Sequence, residues 1–440
     1  LTQPRDDRHG DAGLGAGAGG RVAAVLAAHA GRASAAPGER LVVRVDRLLL
    51  DGPALAAAVA AGEGRGPRPR AAAGRDEHPP LLQASRLAVT AGAPLPPDDA
   101  RRLRHMAMHY NLPVALDPGR SGWPGVVAVD EGLVHGDDVI VGTRPDVGAL
   151  GALGCAALRA GPLELADLFA GPDLVTVVPS AQGVALTGRL PRWATGFDLA
   201  VAVLAACGGA TAVRGQVLQF HGAGTAGLTL PERLLLCATL AAAGVAGVVP
   251  PDERTETWLA ARRTSGPPAG PRIANGAPPP GTHELPLPRV RLVALVDGWG
   301  EPPLALGGGE DEERRPLRIE AVYLGGRIEE LRLAAEVLRE RNVARGLTLG
   351  VVPASQRALL HALDEGLGAD LLRAGALLLP PGSVPPPPAR GERRVVALPV
   401  GAAPGDILAG PSVAAASAVA GWLTDPEAMR RSVRRDSRHV

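Results

Sequence analysis

The sequence contains no lysine, so every one of its 46 strongly basic residues is an arginine. That excludes a lysine Schiff base and lysine-anchored pyridoxal phosphate. Aromatic side chains make up only 2% of the chain, so a core has to be built from Ala, Leu and Val. There are three cysteines, Cys155, Cys207 and Cys237, far apart and each set among Ala, Leu and Gly. No C-x-x-C or His/Cys cluster occurs, which argues against a zinc site or a disulfide framework. It also argues for a reducing compartment, read here as the cytoplasm. The net charge of +1 gives no push toward nucleic acid or an anionic membrane. The longest apolar run, residues 234–249, is shorter than the roughly 20 residues of a spanning helix, and its Ala/Gly content suits a packed helix. Residues 1–19 carry no apolar signal core and read as a disordered leader, and the Arg-rich residues 431–440 as a solvated basic tail.

What is present is a chain of 440 residues with 46% hydrophobic content, enough for two or three packed domains. Gly/Pro-rich breaks fall at 61–80, 264–288, 307–316 and 380–392. Between them, β runs such as "LVVRVDRLLL", "DDVIVG", "RLVALV" and "LTLGVVP" alternate with helical stretches, which predicts α/β layers with mainly parallel sheets. Residues 321–346, "AVYLGGRIEELRLAAEVLRERNVARG", read as a buried strand, a two-glycine turn and an amphipathic helix closed by Gly346. Val322 and Leu324 face the core from the strand. Ile328, Leu331, Ala335 and Leu338 recur at helical spacing.

Six segments, in order, resemble the aconitase superfamily, most closely 3-isopropylmalate dehydratase large subunits. They are "VLAAHAGRASAAPGERLVVRVD", "EGLVHGDDVIVG" with "GALGAL", "GVALTGRLPRWATGFDLAVAVLAACGGATAVRGQVLQFHGAG", "LTLPERLLLCATLAAAGVAGVVPPDERTETWL", "GRIEELRLAAEVL" with "LTLGVVPASQRAL", and "PSVAAASAVAGWLTDPEAM". The resemblance implies three α/β/α domains around a central cleft, here 20–210, 211–288 and 289–430. It implies a hydro-lyase scaffold, a [4Fe-4S] cluster on three thiolates, and a fourth, swivelling domain supplied by a small subunit.

The reactive loops depart from that pattern. The family's S-C-T-N-G-R is shortened: the strand runs straight into G-R, leaving Leu324, Gly325, Gly326, Arg327. Its G-C-x-x-C becomes Gly382, Ser383, Val384, Pro385, Pro386. Cys237 falls on a position of the family's I-C-N-M that is not a ligand. G-D-S-H-T is replaced by Gly142 followed by "TRPDV", and P-D-H by "VTAGAPLPPDD". I-P-H becomes Trp123, Pro124, Gly125. The Asn and Glu after I-C-N become Ala238 and Ala242. S-N-R-N-F keeps Gly391, Glu392, Arg393 but has Leu398, Pro399, Val400, Gly401 at the carboxylate-binding loop. A buried polar group without its partner costs roughly 1–3 kcal/mol, so loss of a cluster favours Ala, Gly and Pro around it.

These departures predict a large-subunit homologue with no cluster and no catalytic residues. It would pair with a small swivelling-domain subunit or an active paralogue. The other reading is a cluster-free lyase or isomerase acting on a small di- or tricarboxylate. The candidate ligand site is the turn Gly325, Gly326, Arg327, whose amides open a helix and attract anions, with Arg144 and Arg120 on loops facing the same cleft. Asp137 with Asp138, and Asp252 with Glu253, follow turn signals and read as surface turns. His221 reads as structural. Ser180, Ser383 and Ser412 have no histidine partner and no G-x-S-x-G context, so a hydrolase triad has no support. "GLGAGAGG" at 13–20 follows no strand and is no dinucleotide fingerprint.

Overall fold

In a computed structural model, the structure describes residues 20–63, 87–90, 97–98, 101, 104–105, 108, 121–170, 173–262, 272–296, 299, 303–304, 306, 317–398 and 401–429. The proposed leader, the basic tail and Arg120 lie outside the described residues.

The first unit begins with helix α1 (Gly20–His29), strands β1 (Arg40–Arg44) and β2 (Arg47–Asp51), helix α2 (Gly52–Glu63), strand β3 (Leu87–Thr90), helix α3 (Pro124–Asp130) and strand β4 (Val139–Gly142). A 3-10 helix (Pro145–Leu153) leads to β5 (Ala156–Arg159), α4 (Pro162–Ala170) and β6 (Asp173–Val177). Its main sheet has the order β3-β2-β4-β5, all parallel. β1 and β6 form a separate antiparallel ribbon. The run "LVVRVDRLLL", expected as one strand, is therefore two strands in two sheets. The break is at Asp46, whose carboxylate accepts from the Val139 amide at 2.8 Å and pairs with His29 at 2.8 Å.

The second unit contains β7 (Ala181–Thr187), α5 (Gly196–Ala206), β8 (Val217–His221), α6 (Ala223–Gly227), α7 (Leu230–Ala242), β9 (Ala246–Val248), α8 (Glu253–Ala260) and β10 (His283–Pro286). Its parallel sheet runs β10-β7-β8-β9, and β7 lies on the amino-terminal side of the 210 limit set from the sequence. The apolar run at 234–249 is the buried part of α7 followed by β9. Thr229 caps α7, and its amide donates to Glu232 Oε2 at 2.6 Å. Among the described residues no helix is long and apolar enough to cross a membrane.

The third unit contains β11 (Ala294–Val296), β12 (Ala321–Gly326), α9 (Ile328–Leu338), β13 (Thr348–Pro353), α10 (Gln356–Asp364), α11 (Leu367–Ala374), β14 (Leu377–Leu378), β15 (Arg394–Ala397), β16 (Ile407–Ala409) and α12 (Pro411–Ala420). The order is β11-β16-β15-β12-β13-β14, with only β11 antiparallel. The strand, turn and helix expected at 321–338 are present, and Val322, Leu324, Leu331, Ala335 and Leu338 are buried. The expected closure at Gly346 is not. α9 ends at Leu338 because Glu340 adopts a left-handed φ of 58° and the Arg341 guanidinium donates to the Val337 carbonyl at 2.6 Å.

Apolar burial fuses the units. Leu49, Ile140 and Leu150 of the first share one core with Leu199, Phe220 and Leu236 of the second. Trp123 and Val126 of the first pack with Tyr323, Val352, Val396 and Leu398 of the third. Arg21 is fully buried, and its guanidinium donates to the carbonyls of Gly136, Gly154 and Ile273 and pairs with Asp137 at 2.5 Å. Asp138 is buried as well, so that pair is an internal fastening rather than a surface turn. The architecture is α/β with mainly parallel sheets, as the alternation in the sequence predicted.

Candidate functional site

The chain ends of β4, β12 and β15 and the body of α7 converge on a cavity of about 360 Å³. Its lining includes Pro145, Ala242, Gly325, Leu398 and Gly401. Each of these stands on a segment that resembles one of the family's reactive loops. The fold thus brings these segments together around one cavity. Most of the remaining wall is apolar, with Phe197, Leu235, Trp299, Val396 and Leu408 among it.

Two of the altered positions are closed to any side chain. A Cβ on Gly325 would stand 2.0 Å from the Val352 carbonyl oxygen and 2.8 Å from Leu398 Cδ2. A Cβ on Gly125 would stand 2.5 Å from the Asp146 carbonyl oxygen. A side chain at either position would require the backbone to move.

The other loops are held by internal ion pairs. Arg144 Nη1 meets Asp51 at 3.1 Å and its Nε meets Asp146 at 3.2 Å, while Asp146 Oδ2 accepts from the Gly125 amide at 2.8 Å. Burial raises the Asp146 carboxyl above its ordinary value, and the Arg144 charge opposes that rise. Near the cavity mouth, Arg394 pairs with Asp406 and donates to the Pro386 carbonyl. The Asp406 carboxylate also accepts from the Ala403 amide at 2.6 Å. Arg394 thereby fastens the 382–386 segment, where the family has two thiolates, to the 401–406 loop.

Of the residues singled out in the sequence, Gly325 lines the cavity, whereas Arg327 and Arg144 are not in its described lining. Arg327 caps α9 from an extended backbone, and its Nη2 is buried without a hydrogen-bond partner. Nearby, the Ser355 hydroxyl donates to the Asp130 carboxylate at 2.6 Å and Arg357 Nη1 donates to the Asp130 carbonyl at 2.7 Å, which joins the third unit to α3. Next to Arg327, Glu330 is buried, and burial together with the Glu329 charge pushes its carboxyl up to about 7. Arg144 Nη2 is also buried and unpartnered.

His221 ends β8 with Nε2 buried and unpartnered, and its carbonyl accepts from the Thr225 hydroxyl at 2.7 Å. Asp252 caps α8 through the Thr255 amide at 2.9 Å and pairs with the fully buried Arg233 at 2.6 Å. Ser412 is spent on the Trp193 carbonyl at 2.8 Å. Sequence reasoning missed Arg394, Asp406 and Glu330. The signal for Arg394 was a second arginine entering the apolar run of "GERRVVAL", where a solvated strand start needs none.

The three cysteines are buried and unpaired. The Cys155 thiol donates to the His135 carbonyl at 3.0 Å, and burial pushes the Cys155 and Cys237 thiols well up. Among the described residues no group of three or more His, Cys, Asp or Glu side chains is placed to hold a metal ion. The donor set of a three-thiolate cluster does not fit the residues present at the cleft.

Comparison with known proteins identifies the family. Residues 97–274 match the aconitase family (aconitate hydratase). The chain is 33% identical over 329 residues to 3-isopropylmalate dehydratase large subunit 1 of Methanopyrus kandleri, covering 70% of this chain and 76% of that one. It is 32% identical over 356 residues to the homoaconitase large subunit of Thermus thermophilus, covering 74% and 79%. A 3-isopropylmalate dehydratase large subunit of Clostridium beijerinckii is 26% identical over 430 residues, 92% of this chain and 98% of that one. The chain belongs to the aconitase family.

Proposed function

We propose that this chain is a degenerate homologue of the 3-isopropylmalate dehydratase large subunit that binds no [4Fe-4S] cluster and carries out no hydro-lyase reaction. It acts in the cytoplasm as a structural or regulatory partner of a small swivelling-domain subunit or of an active paralogue. The observation that carries this reading is the closure of the Gly325 position by the Val352 carbonyl, at 2.0 Å from where a Cβ would stand. The family's cysteine-bearing residues are missing from this turn, and the glycine that remains admits no side chain. The relatives named as large subunits support the partner, and the buried free thiols suit a reducing compartment. The test mixes the purified chain with separately produced small subunit and assays 3-isopropylmalate and citrate dehydration. A stable complex without turnover is expected. Turnover above that of the small subunit alone would sink the reading.

A second reading is a cluster-free lyase or isomerase acting on a small di- or tricarboxylate. It is favoured by the buried, unpartnered Nη2 atoms of Arg327 and Arg144, since a guanidinium fork binds carboxylates bidentately. Under it, Arg327, the amides of Gly325 and Gly326, and Arg144 and Arg120 hold the substrate. Calorimetry with sulfate, citrate and 3-isopropylmalate on wild type and Arg327→Ala decides it. Equal, negligible binding by both proteins removes this reading.

A further inference from the structure

The cavity is large enough to admit a small molecule. Protein interiors pack to near-crystalline density and keep few voids bigger than a water molecule. An engineered apolar cavity of about 150 Å³ already takes up benzene, and this one measures about 360 Å³. That falls within the range of roughly 300–1,000 Å³ of small-molecule sites.

Its wall is also selective in kind. The chain has only three Phe, five Trp and two Tyr, yet Phe197 and Trp299 both stand here, with ring centroids 6.2 Å apart. Among the described lining residues Asp406 is the one charged side chain, and its two oxygens are taken by Arg394 and the Ala403 amide. Among the described lining residues none is basic, so a carboxylate would enter without a counter-charge from them, at a cost of several kcal/mol. Among the same residues Thr239 brings the one hydroxyl. Gly401, Ala402 and Pro404 are exposed and form the rim.

We propose that this cavity binds an uncharged, predominantly apolar small molecule carrying one hydrogen-bonding group, with the apolar body against Phe197, Leu235, Trp299 and Leu398 and the polar group at Thr239. It rests on the reading that no cluster fills the cleft. It differs in charge from the carboxylates considered for Arg327, whose guanidinium is not in the described lining.

The probe is N-phenyl-1-naphthylamine, an uncharged aromatic amine that fluoresces in apolar surroundings. Wild type should bind it saturably, one per chain, with energy transfer from tryptophan, and citrate should not displace it. Ala242→Phe fills the interior, and Ala402→Trp plugs the rim from an exposed loop, leaving the core untouched. Each should weaken binding by about tenfold or more, with the urea midpoint of Ala402→Trp unchanged. Equal binding by all three proteins, displacement by citrate, or no binding by wild type would overturn the proposal. Iron is measured on the same samples. An iron-loaded, catalytically active sample would overturn the cluster-free reading. An iron-free protein that ignores the dye overturns this inference alone.

Discussion

Arg394 and Asp406 form a two-pronged ion pair buried at 1% and 2% side-chain exposure, with Arg394 Nη2 2.9 Å from Asp406 Oδ2. The pair fixes the loops at Pro386 and Ala403 against β15. Breaking a buried pair by removing one partner leaves a charge unanswered, at roughly 3–5 kcal/mol, whereas replacing both with apolar residues is often neutral. Arg394→Met alone should therefore lower stability by about that much in urea denaturation. Arg394→Met with Asp406→Leu should recover most of it. Equal losses in single and double variants would show that packing, not charge, holds the loops.

Glu330 makes stability depend on pH. Its carboxyl titrates at an ordinary 4.5 in the unfolded chain and at about 7 when folded. Between those values the folded state keeps a proton that the unfolded state has released, so stability falls as pH rises through the window. Glu330→Gln should remove that fall and stabilise the protein above pH 7 by on the order of 3 kcal/mol. Urea midpoints of both proteins from acid to alkaline pH check it, and parallel curves would refute it.

Asp252 works in the opposite sense. Burial alone would raise its carboxyl, but the Arg233 hydrogen bond and the Thr255 contacts outweigh burial and bring it to about 2. The stability it contributes is present above 3.8 and is lost as pH falls toward 2. Asp252→Asn should lose stability at neutral pH and show a shallower acid transition by circular dichroism.

Much of the fold could be read from apolar periodicity, because strands at 139–142 and 348–353 and the helix at 328–338 are decided by residues close in sequence. The split of 41–50 could not, since it depends on Asp46 reaching Val139 across the sheet. The loops at Gly325 and Gly125 were legible in the sequence as departures from the resembled pattern. What closes them was not: Val352 stands over Gly325, and Asp146 over Gly125, from distant parts of the chain. The cavity wall, drawn from positions between 145 and 411, exists only once the units pack.

The cysteines give a chemical check. With their thiols buried and pushed up, Cys155 and Cys237 should resist a disulfide reagent in the native protein, because the thiolate is the reactive form. Both should react once unfolded. Replacing all three cysteines with Ala should cost at most a few kcal/mol. Rapid native labelling of Cys237 would contradict its place in the core.

The most direct test of the central claim is anaerobic reconstitution with iron and sulfide, followed by visible absorption and iron analysis. Thiolate-ligated clusters absorb through charge transfer from sulfur to iron, and they need ligands that this cleft does not present. The account predicts no such absorption and iron far below stoichiometry after desalting. A stoichiometric [4Fe-4S] cluster on the wild-type chain would contradict it.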